Sequence, residues 1–249
     1  MRIVPLGTTG YHANEIRHTA CYLLPESGAV LDAGSGLFRL AKYATTDELD
    51  IFLSHAHLDH VLGLTYLLET MYERPLRRVT IHGDAAKLAS IREHLFYPDL
   101  FPILPNVEWR PLPPTGSITL VDGGKLTHFP LVHPGGSVGF RIDWPGKSLA
   151  YVTDTTAGPG VTYVEKIRGV DLLLHECNFD DAAAAEFAMK TGHSRTSEVA
   201  ALAKAAGVGR LVLIHLAPHL SIVDPVGLDV ARSIFPATEL GEDLKEIEF

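Results

Sequence analysis

Four side chains that can bind a metal ion stand within six consecutive residues of this sequence. The segment His55–His60 contains three histidines and one aspartate, and the apolar run Ile51–Leu53 precedes it. Neutral imidazole and carboxylate are ligands that Zn²⁺ and similar divalent cations accept. Because four such groups on one tight turn are enough to serve two ions, the segment predicts a metal centre. The alternative is a solvated, His-rich loop.

Further metal-capable or titratable residues follow apolar runs elsewhere in the chain. Each run has the composition of a strand that is covered on both faces. Five such runs are followed by His55, His133, Asp154, the pair His175–Glu176 and His215. Function in layered α/β proteins gathers in the loops that leave one end of the strands, so we expect these ends to converge on one site. A single histidine of this kind would more often be a core-edge residue.

The elements that must position these residues are visible as alternating strand and helix patterns. Apolar residues at helical spacing predict a helix over Leu58–Tyr72, which begins within the His-rich segment. Asp32–Gly36 is typical of a tight turn after a strand. Asp224-Pro225 predicts a helix start, with an N-cap followed by proline at the first helical position.

The Pro-rich segment 97–115 has no pattern of a regular helix. We interpret it as a surface loop with an edge strand at Val107–Arg110. The alternative is a loop that shapes a substrate pocket. No internal repeat, low-complexity tract or linker is evident, so the simplest organisation is a single domain over residues 1–249.

Composition excludes several classes of protein. The chain has 249 residues, 46% of them apolar, which is enough for a sizeable core. Its formal net charge of −9, with no run of Lys and Arg, argues against strong binding to duplex nucleic acid or to an anionic membrane. Two cysteines, Cys21 and Cys177, are too few for a disulfide framework and predict reduced core thiols of a cytoplasmic protein. The sequence predicts neither a signal peptide nor a membrane span.

Taken in order, the motifs resemble those of metallo-β-lactamase-fold hydrolases, and most closely those of the ribonuclease Z-like phosphodiesterases. The HxHxDH pattern at His55–His60 is common to the whole superfamily. The narrower matches, in the same order as in ribonuclease Z, are His133–Ile142, Val152–Thr155, Leu174–Phe179, Gly192–Ser194 and Leu213–His215. The resemblance implies an α/β (α+β) fold, the four-layer αββα sandwich. In that fold two sheets lie face to face, helices cover the outside and metals bind at one edge.

The resemblance also implies two divalent metal ions, zinc or manganese, and a set of ligands for them. The implied ligands are His55, His57 and His133 for the first ion and Asp59, His60 and His215 for the second. Asp154 would bridge both ions, because a carboxylate offers two oxygens whereas a neutral imidazole nitrogen has one lone pair. Asp59 would also orient or deprotonate the attacking water. His193 and Glu176 match positions linked to catalysis in these enzymes.

Several of these residues have a structural alternative. His193 could be a helix-capping loop residue and Glu176 part of a structural ion pair. His175 either supports the ligands or lies in the core. His219 is interpreted as a residue on the rim of the site. The histidines that we treat as structural or surface residues are His12, His18, His82, His94 and His128.

The preferred function is a dinuclear metal-dependent phosphodiesterase that hydrolyses a small or single-stranded phosphodiester. Its first alternative is a metal-dependent hydrolase of a lactone or thioester. The second is a tRNA 3′-end endonuclease. Ribonuclease Z enzymes usually insert a tRNA-clamping arm between the motifs of His133 and Asp154, where this chain has only 20 residues. A metal-binding sensor or scaffold is the non-enzymatic alternative. The natural substrate, the resident metal and the oligomeric state, a homodimer included, stay open.

Overall fold

The structure, a computed structural model, describes residues 1–158, 160–218 and 222–249. Within these residues the chain forms two seven-stranded sheets. The first sheet contains β1 (Arg2–Gly7), β2 (Cys21–Leu24), β3 (Ala29–Leu31), β4 (Glu48–Phe52), β5 (Arg78–Gly83), β6 (Glu108–Pro111) and β14 (Ile247–Glu248), in the order β14-β1-β2-β3-β4-β5-β6. The second contains β7 (Ile118–Thr119), β8 (Lys125–Leu131), β9 (Ser137–Trp144), β10 (Lys147–Val152), β11 (Leu172–Glu176), β12 (Arg210–Ile214) and β13 (Thr238–Leu240), in the order β13-β12-β11-β10-β9-β8-β7.

The two sheets pack against each other through buried aromatic and aliphatic side chains. Tyr22 of the first sheet contacts Tyr151 of the second, with ring centroids 5.3 Å apart, and Phe52 contacts Phe140 edge to face at 5.9 Å. Strands β3 to β6 are parallel, as are β10 to β13. Their near-continuous apolar sequences fit strands that are buried on both faces.

Helices cover the outer face of each sheet. They are α1 (Leu40–Tyr43), α2 (Leu58–Val61), α3 (Leu67–Glu73) and α4 (Ala85–Ser90) over the first sheet, and α5 (Val164–Ile167), α7 (Thr196–Ala206) and α8 (Leu228–Ile234) over the second. A further helix, α6 (Ala185–Thr191), precedes α7. This arrangement confirms the predicted four-layer αββα sandwich. Among the described residues, no helix combines the length and the apolar composition that a bilayer crossing requires.

The predicted helix over Leu58–Tyr72 is wrong as a continuous element. A 3₁₀ segment, Leu62–Tyr66, separates α2 from α3. The cause is the tight turn after β3, where the N–H of Ala33 donates to the carbonyl of His60 and its carbonyl accepts from the N–H of Gly63, both at 2.8 Å. Two backbone groups that a regular helix would use internally are therefore committed to another segment.

The predicted helix start at Asp224-Pro225 is also wrong. Helix α8 begins at Leu228, after Gly227 in a left-handed conformation with φ +76°. The Asp224 carboxylate accepts from the backbone N–H groups of Gly227 and Leu228, at 2.9 and 2.8 Å. It thus closes a turn before the helix. The edge strand predicted within segment 97–115 is confirmed as β6, the last strand of the first sheet.

Candidate metal centre

The carboxyl ends of strands from both sheets meet at one side of the sandwich. His55 follows β4 of the first sheet, and His133, Asp154 and His215 follow β8, β10 and β12 of the second. Since β8, β10 and β12 run in the same direction, these three residues share one edge. Asp59 and His60 lie on helix α2, and His57 is the N-cap residue of that helix.

Asp154 lies between two sets of histidines. Its Oδ2 is 3.6 Å from Nε2 of His55 and 3.5 Å from Nε2 of His133. Its Oδ1 is 3.2 Å from Nε2 of His60 and 3.2 Å from Nε2 of His215. The two oxygens of one buried carboxylate therefore face two different ligand sets.

These distances fit a metal ion between the groups. Two ligands at about 2.1 Å from a tetrahedral zinc ion lie roughly 3.4 Å from each other. The separations around Asp154 are 3.2 to 3.6 Å, near that value. Nε2 of His55 is also buried without a hydrogen-bond partner among the described residues. An unpaired buried polar atom is costly, and coordination to a cation would satisfy it.

The structure brings together all seven residues of the predicted ligand set. The candidate ligand atoms lie within 4.8 Å of one another in one group formed by His55, His57, His133 and Asp154, and in a second formed by Asp59, His60 and His215. A third group adds His193 to Asp154 and His215. The role of each residue as a ligand stays a prediction, and His193 lies close enough to be a ligand itself.

The protonation states of three candidate histidine ligands and of both carboxylates suit cation binding. Burial lowers the pKa of His55, His57 and His133, so these imidazoles are neutral and carry a free lone pair. Burial alone would raise the pKa of Asp154, but His215 and His60 hold it well below its usual range. Asp59 is held low in the same way, chiefly by His60. Both carboxylates are therefore ionised at neutral pH.

Asp32, which sequence analysis placed only in a turn, supports the site from behind. It is fully buried, with a left-handed φ of +57°. Its Oδ2 lies 2.8 Å from Nδ1 of His60 and accepts from the hydroxyls of Ser54 and Tyr151, at 2.8 and 2.7 Å. The Ser54 hydroxyl is also 3.0 Å from Nδ1 of His55. One carboxylate thus orients His60 directly and His55 through Ser54, and their Nε2 atoms face the centre.

Glycine is required where the backbone approaches two of the histidine rings. A Cβ atom on Gly10 would lie 2.1 Å from Cε1 of His215. A Cβ atom on Gly192 would lie 2.7 Å from Nδ1 of His133, the nitrogen that is 3.0 Å from the Gly192 carbonyl oxygen. Any side chain at either position would displace a candidate ligand.

His193 and Glu176 form a pair beside the ligands. Nδ1 of His193 is 3.6 Å from Oε1 of Glu176, an electrostatic contact slightly beyond hydrogen-bond range. Glu176 is fully buried and accepts from the backbone N–H groups of Thr155 and Asn178. Burial of His193 opposes protonation, but the charge of Glu176 outweighs it and raises the pKa of His193. The imidazole therefore holds a proton more readily than a free histidine.

His175 does not join the site, although it also follows an apolar run. Successive side chains of a strand point to opposite faces, so His175 and Glu176 point apart. Nε2 of His175 is 2.8 Å from the hydroxyl of Tyr163, and Nδ1 is 2.7 Å from the Glu176 carbonyl oxygen. His175 is fully buried between the second sheet and the helices that cover it, and burial lowers its pKa. Of its two alternatives, the core position is the one that the structure shows.

A cavity of about 560 Å³ opens over the candidate metal centre. Its walls include His57, Asp59 and His215 of the ligand set, together with His193. The described residues around it include none from segment 97–115, which favours the surface-loop interpretation of that segment.

Residues outside the metal-ligand set also form part of this cavity. They are Tyr11, His12, Asn178, Phe179, Phe187, Thr191 and Pro218. His12 is exposed, as predicted for a surface residue, and lies in the wall of this cavity. His219 lies outside the described residues.

Comparison with known proteins places this geometry in context. A family model described as the beta-lactamase superfamily domain matches residues 29–216. Ribonuclease BN of Escherichia coli O6:K15:H31 (strain 536) is 30% identical, and the alignment covers 98% of each chain. It runs over 313 positions, against 249 residues here, so the relative contains residues without a counterpart in this chain.

Solved structures share the fold. The metallo-β-lactamase-fold protein YhfI of Bacillus subtilis superposes with a TM-score of 0.83 at 21% identity, covering 99% of both chains. The short form of human tRNase Z superposes with a TM-score of 0.75 at 24% identity, covering 100% of this chain and 99% of the other.

Proposed function

This chain belongs to the β-lactamase superfamily, in its ribonuclease Z-like branch of metallo-β-lactamase-fold hydrolases, and on that basis we propose that it is a dinuclear metal-dependent phosphodiesterase. The substrate would be a small or single-stranded phosphodiester. The observation that carries the proposal is the division of the Asp154 carboxylate, with Oδ2 towards His55 and His133 and Oδ1 towards His60 and His215. A single-ion site would need no such bridge.

The ligands would be those that the structure brings together: His55, His57 and His133 for one ion, Asp59, His60 and His215 for the other, and Asp154 for both. When bound, two divalent ions supply a hydroxide near neutral pH and neutralise the non-bridging phosphoryl oxygens. Zinc and manganese both accept this donor set.

Asp59 and His193 would carry the proton transfers. Asp59 borders the cavity, and its Oδ2 accepts a hydrogen bond from the backbone N–H of Tyr11 at 2.8 Å, which fixes the carboxylate in place. It would orient the attacking water. Nδ1 of His193 is directed to Glu176, which leaves Nε2 for the substrate. Because Glu176 favours the protonated imidazole, His193 would donate a proton to the departing oxygen.

Two other activities compete with this proposal. A lactone or thioester hydrolase would use the same ligands but would depend less on the acid pair His193–Glu176. The name of the ribonuclease BN relative favours a ribonuclease. Against a tRNA substrate stand the net charge of −9 and the 20-residue connection between His133 and Asp154.

Metal analysis tests the dinuclear site. Purified protein should contain close to two divalent ions per chain, measured by inductively coupled plasma mass spectrometry. Asp154→Ala should lose both ions, because one carboxylate serves two sites. Retention of one fully occupied site in this variant would contradict the dinuclear arrangement.

A substrate panel tests the reaction class. Metal-replete protein is assayed with bis-(p-nitrophenyl) phosphate, cyclic nucleotides, short RNA, a lactone and a thioester. We expect turnover of phosphodiesters. Faster hydrolysis of the lactone or thioester by orders of magnitude would favour acyl hydrolysis instead.

Precursor tRNA should bind weakly with a shallow salt dependence, since few Lys or Arg neutralise phosphates. Tight binding that falls steeply with salt would support the ribonuclease alternative.

We propose that residues 1–249 act as one domain, because the candidate site takes ligands from both sheets. A cytoplasmic location is supported by the two cysteines, which are free and buried. Size-exclusion chromatography with light scattering would decide between a monomer and a homodimer.

A further inference from the structure

Three aromatic side chains, which we call the aromatic wall, line the cavity over the candidate metal centre. They belong to Tyr11, Phe179 and Phe187. Phe187 contacts Phe179 at a centroid distance of 5.6 Å, and Phe179 contacts the ring of His193 at 6.2 Å. Phe187 and Phe179 therefore form a row that runs from the solvent to the histidine proposed to protonate the leaving group, and Tyr11 lines the same cavity.

The outer rings of this wall are exposed to an unusual degree. Tyr11 is 79% exposed and Phe187 is 54% exposed, although large aromatic residues are mostly buried in folded proteins. Tyr11 also adopts a left-handed backbone conformation with φ +59°, which costs free energy for a residue with a side chain. Its N–H donates to Asp59, so the conformation holds the ring at the cavity. Neither ring is needed for the core, and both remain free to contact a ligand.

The chemistry of the cavity limits what this ligand can be. The described lining contains no Lys or Arg, so a chain of several phosphates would find no cation beyond the metal centre. The amide of Asn178 also lines the cavity, and its Nδ2 donates to the carbonyl of His215, which leaves Oδ1 as an acceptor. Flat rings in a cavity that also offers a hydrogen-bond acceptor suit a nucleobase, because every base has a face that stacks and most have an edge N–H.

We propose that the aromatic wall is a base-stacking site for the leaving nucleoside of a short nucleotide phosphodiester. This inference rests on the proposed function, since it assigns the substrate class of that reaction. The scissile phosphate would lie at the metal centre, and the base of the departing nucleoside would stack on Phe187 and Tyr11. His193 contacts both regions and so would stand next to the departing oxygen.

Matched dinucleotides test the proposal. One carries a base on both nucleosides, and the others replace one base, on either side of the phosphate, by hydrogen. Loss of the leaving-side base should lower kcat/KM by about 5- to 150-fold, the range of one base–aromatic stack. Phe187→Ala and Tyr11→Ala should cause a loss in that range for the complete dinucleotide and less than about twofold for the dinucleotide without that base. Tyr11→Phe keeps the ring and should retain the preference.

The control is Met189→Ala, on the same helix as Phe187. Met189 is 66% exposed and lies outside the cavity lining. This variant should leave both substrates unaffected. A second readout is binding of adenosine against ribose by saturation-transfer NMR on metal-free protein, which should favour adenosine and lose that preference in Phe187→Ala.

The outcomes separate this inference from the proposed function. If dinucleotides are hydrolysed but Phe187→Ala affects complete and base-lacking substrates equally, the stacking site is wrong and the phosphodiesterase stands. If no phosphodiester is hydrolysed yet adenosine binds at the wall, the proposed reaction is wrong and the site binds a flat group for another chemistry. Equal binding of ribose and adenosine overturns the stacking site in either case.

Discussion

Two buried carboxylate–imidazole pairs on the side of the first sheet have nearly the same geometry and different surroundings. Asp32 lies 2.8 Å from Nδ1 of His60, and Asp50 lies 2.9 Å from Nε2 of His82. Asp32 otherwise accepts from neutral groups, whereas Asp50 also binds the guanidinium of Arg78 at 3.0 Å. The contact itself is therefore no guide to what either pair does.

The far nitrogen of each imidazole distinguishes the pairs. Nε2 of His60 faces Asp59 and Asp154 at the candidate metal centre, and these carboxylates together with Asp32 raise the pKa of His60 against its burial. Nδ1 of His82 is buried and has no hydrogen-bond partner among the described residues, and its ring stacks on Phe52 at 4.7 Å. The first pair is suited to orienting a ligand. The second is suited to stabilising the sheet.

The largest expected effect concerns a third pair, His193–Glu176, which faces the substrate side. His193→Ala should lower kcat by roughly 10²–10⁴-fold, the range for a lost general acid, with metal content unchanged. The loss should be smaller for p-nitrophenyl esters, whose leaving group needs little protonation, and Glu176→Gln should show a weaker defect of the same kind. A drop in metal content by mass spectrometry would instead make His193 a ligand.

The next largest effect tests the pair that faces the metal centre. Asp32→Asn removes the negative acceptor of His60 Nδ1 and should lower metal affinity by about 10- to 100-fold, the usual cost of losing a carboxylate behind a ligating histidine. Competition with a fluorescent chelator measures this affinity. Unchanged affinity together with lower stability would show that Asp32 acts on the sheet alone, as Asp50 is expected to do.

Asp50→Asn is the matched substitution in the other pair, and it should affect stability without affecting metal affinity. Burial alone would raise the pKa of Asp50, but His82 and Arg78 lower it from 3.8 to about 2. Such a shift corresponds to about 2 kcal/mol in the free energy of unfolding at neutral pH.

The pH dependence of this effect has a defined sign. A lowered pKa in the folded state stabilises the protein above pH 3.8, and the contribution is lost as pH falls towards 2. Urea unfolding should therefore show wild type and Asp50→Asn converging across that window. A constant difference between them would contradict the ionic origin of the effect.

The smallest expected effect tests how much Tyr151 contributes to the Asp32–His60 pair. Tyr151→Phe removes one hydrogen bond from a neutral donor to the Asp32 carboxylate and leaves those from Ser54 and His60. We expect a loss of about 1.5 kcal/mol in unfolding free energy and a change of less than about threefold in metal affinity. A loss of affinity equal to that of Asp32→Asn would mean that Tyr151, rather than the carboxylate charge, holds His60 in place.

The local sequence pattern predicted those parts of the site that consecutive residues form. His55–His60 is such a segment, and the apolar runs before His133, Asp154 and His215 indicated strand ends that the structure brings together. The metal-ligand roles themselves remain predictions. The sandwich and the superfamily are confirmed.

The sequence pattern missed features of the site and the fold that depend on contacts between residues far apart in the chain. Asp32 is one aspartate in a turn, and nothing nearby in sequence shows that His60, Ser54 and Tyr151 converge on it. The break after Val61 arises because Ala33 takes two backbone groups from the predicted helix. Tyr11 and Phe187 line one cavity only because a loop near the start of the chain and helix α6 meet there.

The ligand set crosses the interface between the sheets, with His55, His57, Asp59 and His60 on the side of the first sheet and His133, Asp154 and His215 on the second. An ion held by residues of both sheets acts as an inter-sheet crosslink, and the unfolded chain cannot offer the same donors together. Folding and metal supply are then thermodynamically linked. The melting temperature of this protein would report the free metal concentration around it, and a chelator would loosen the sandwich at the edge where its chemistry takes place.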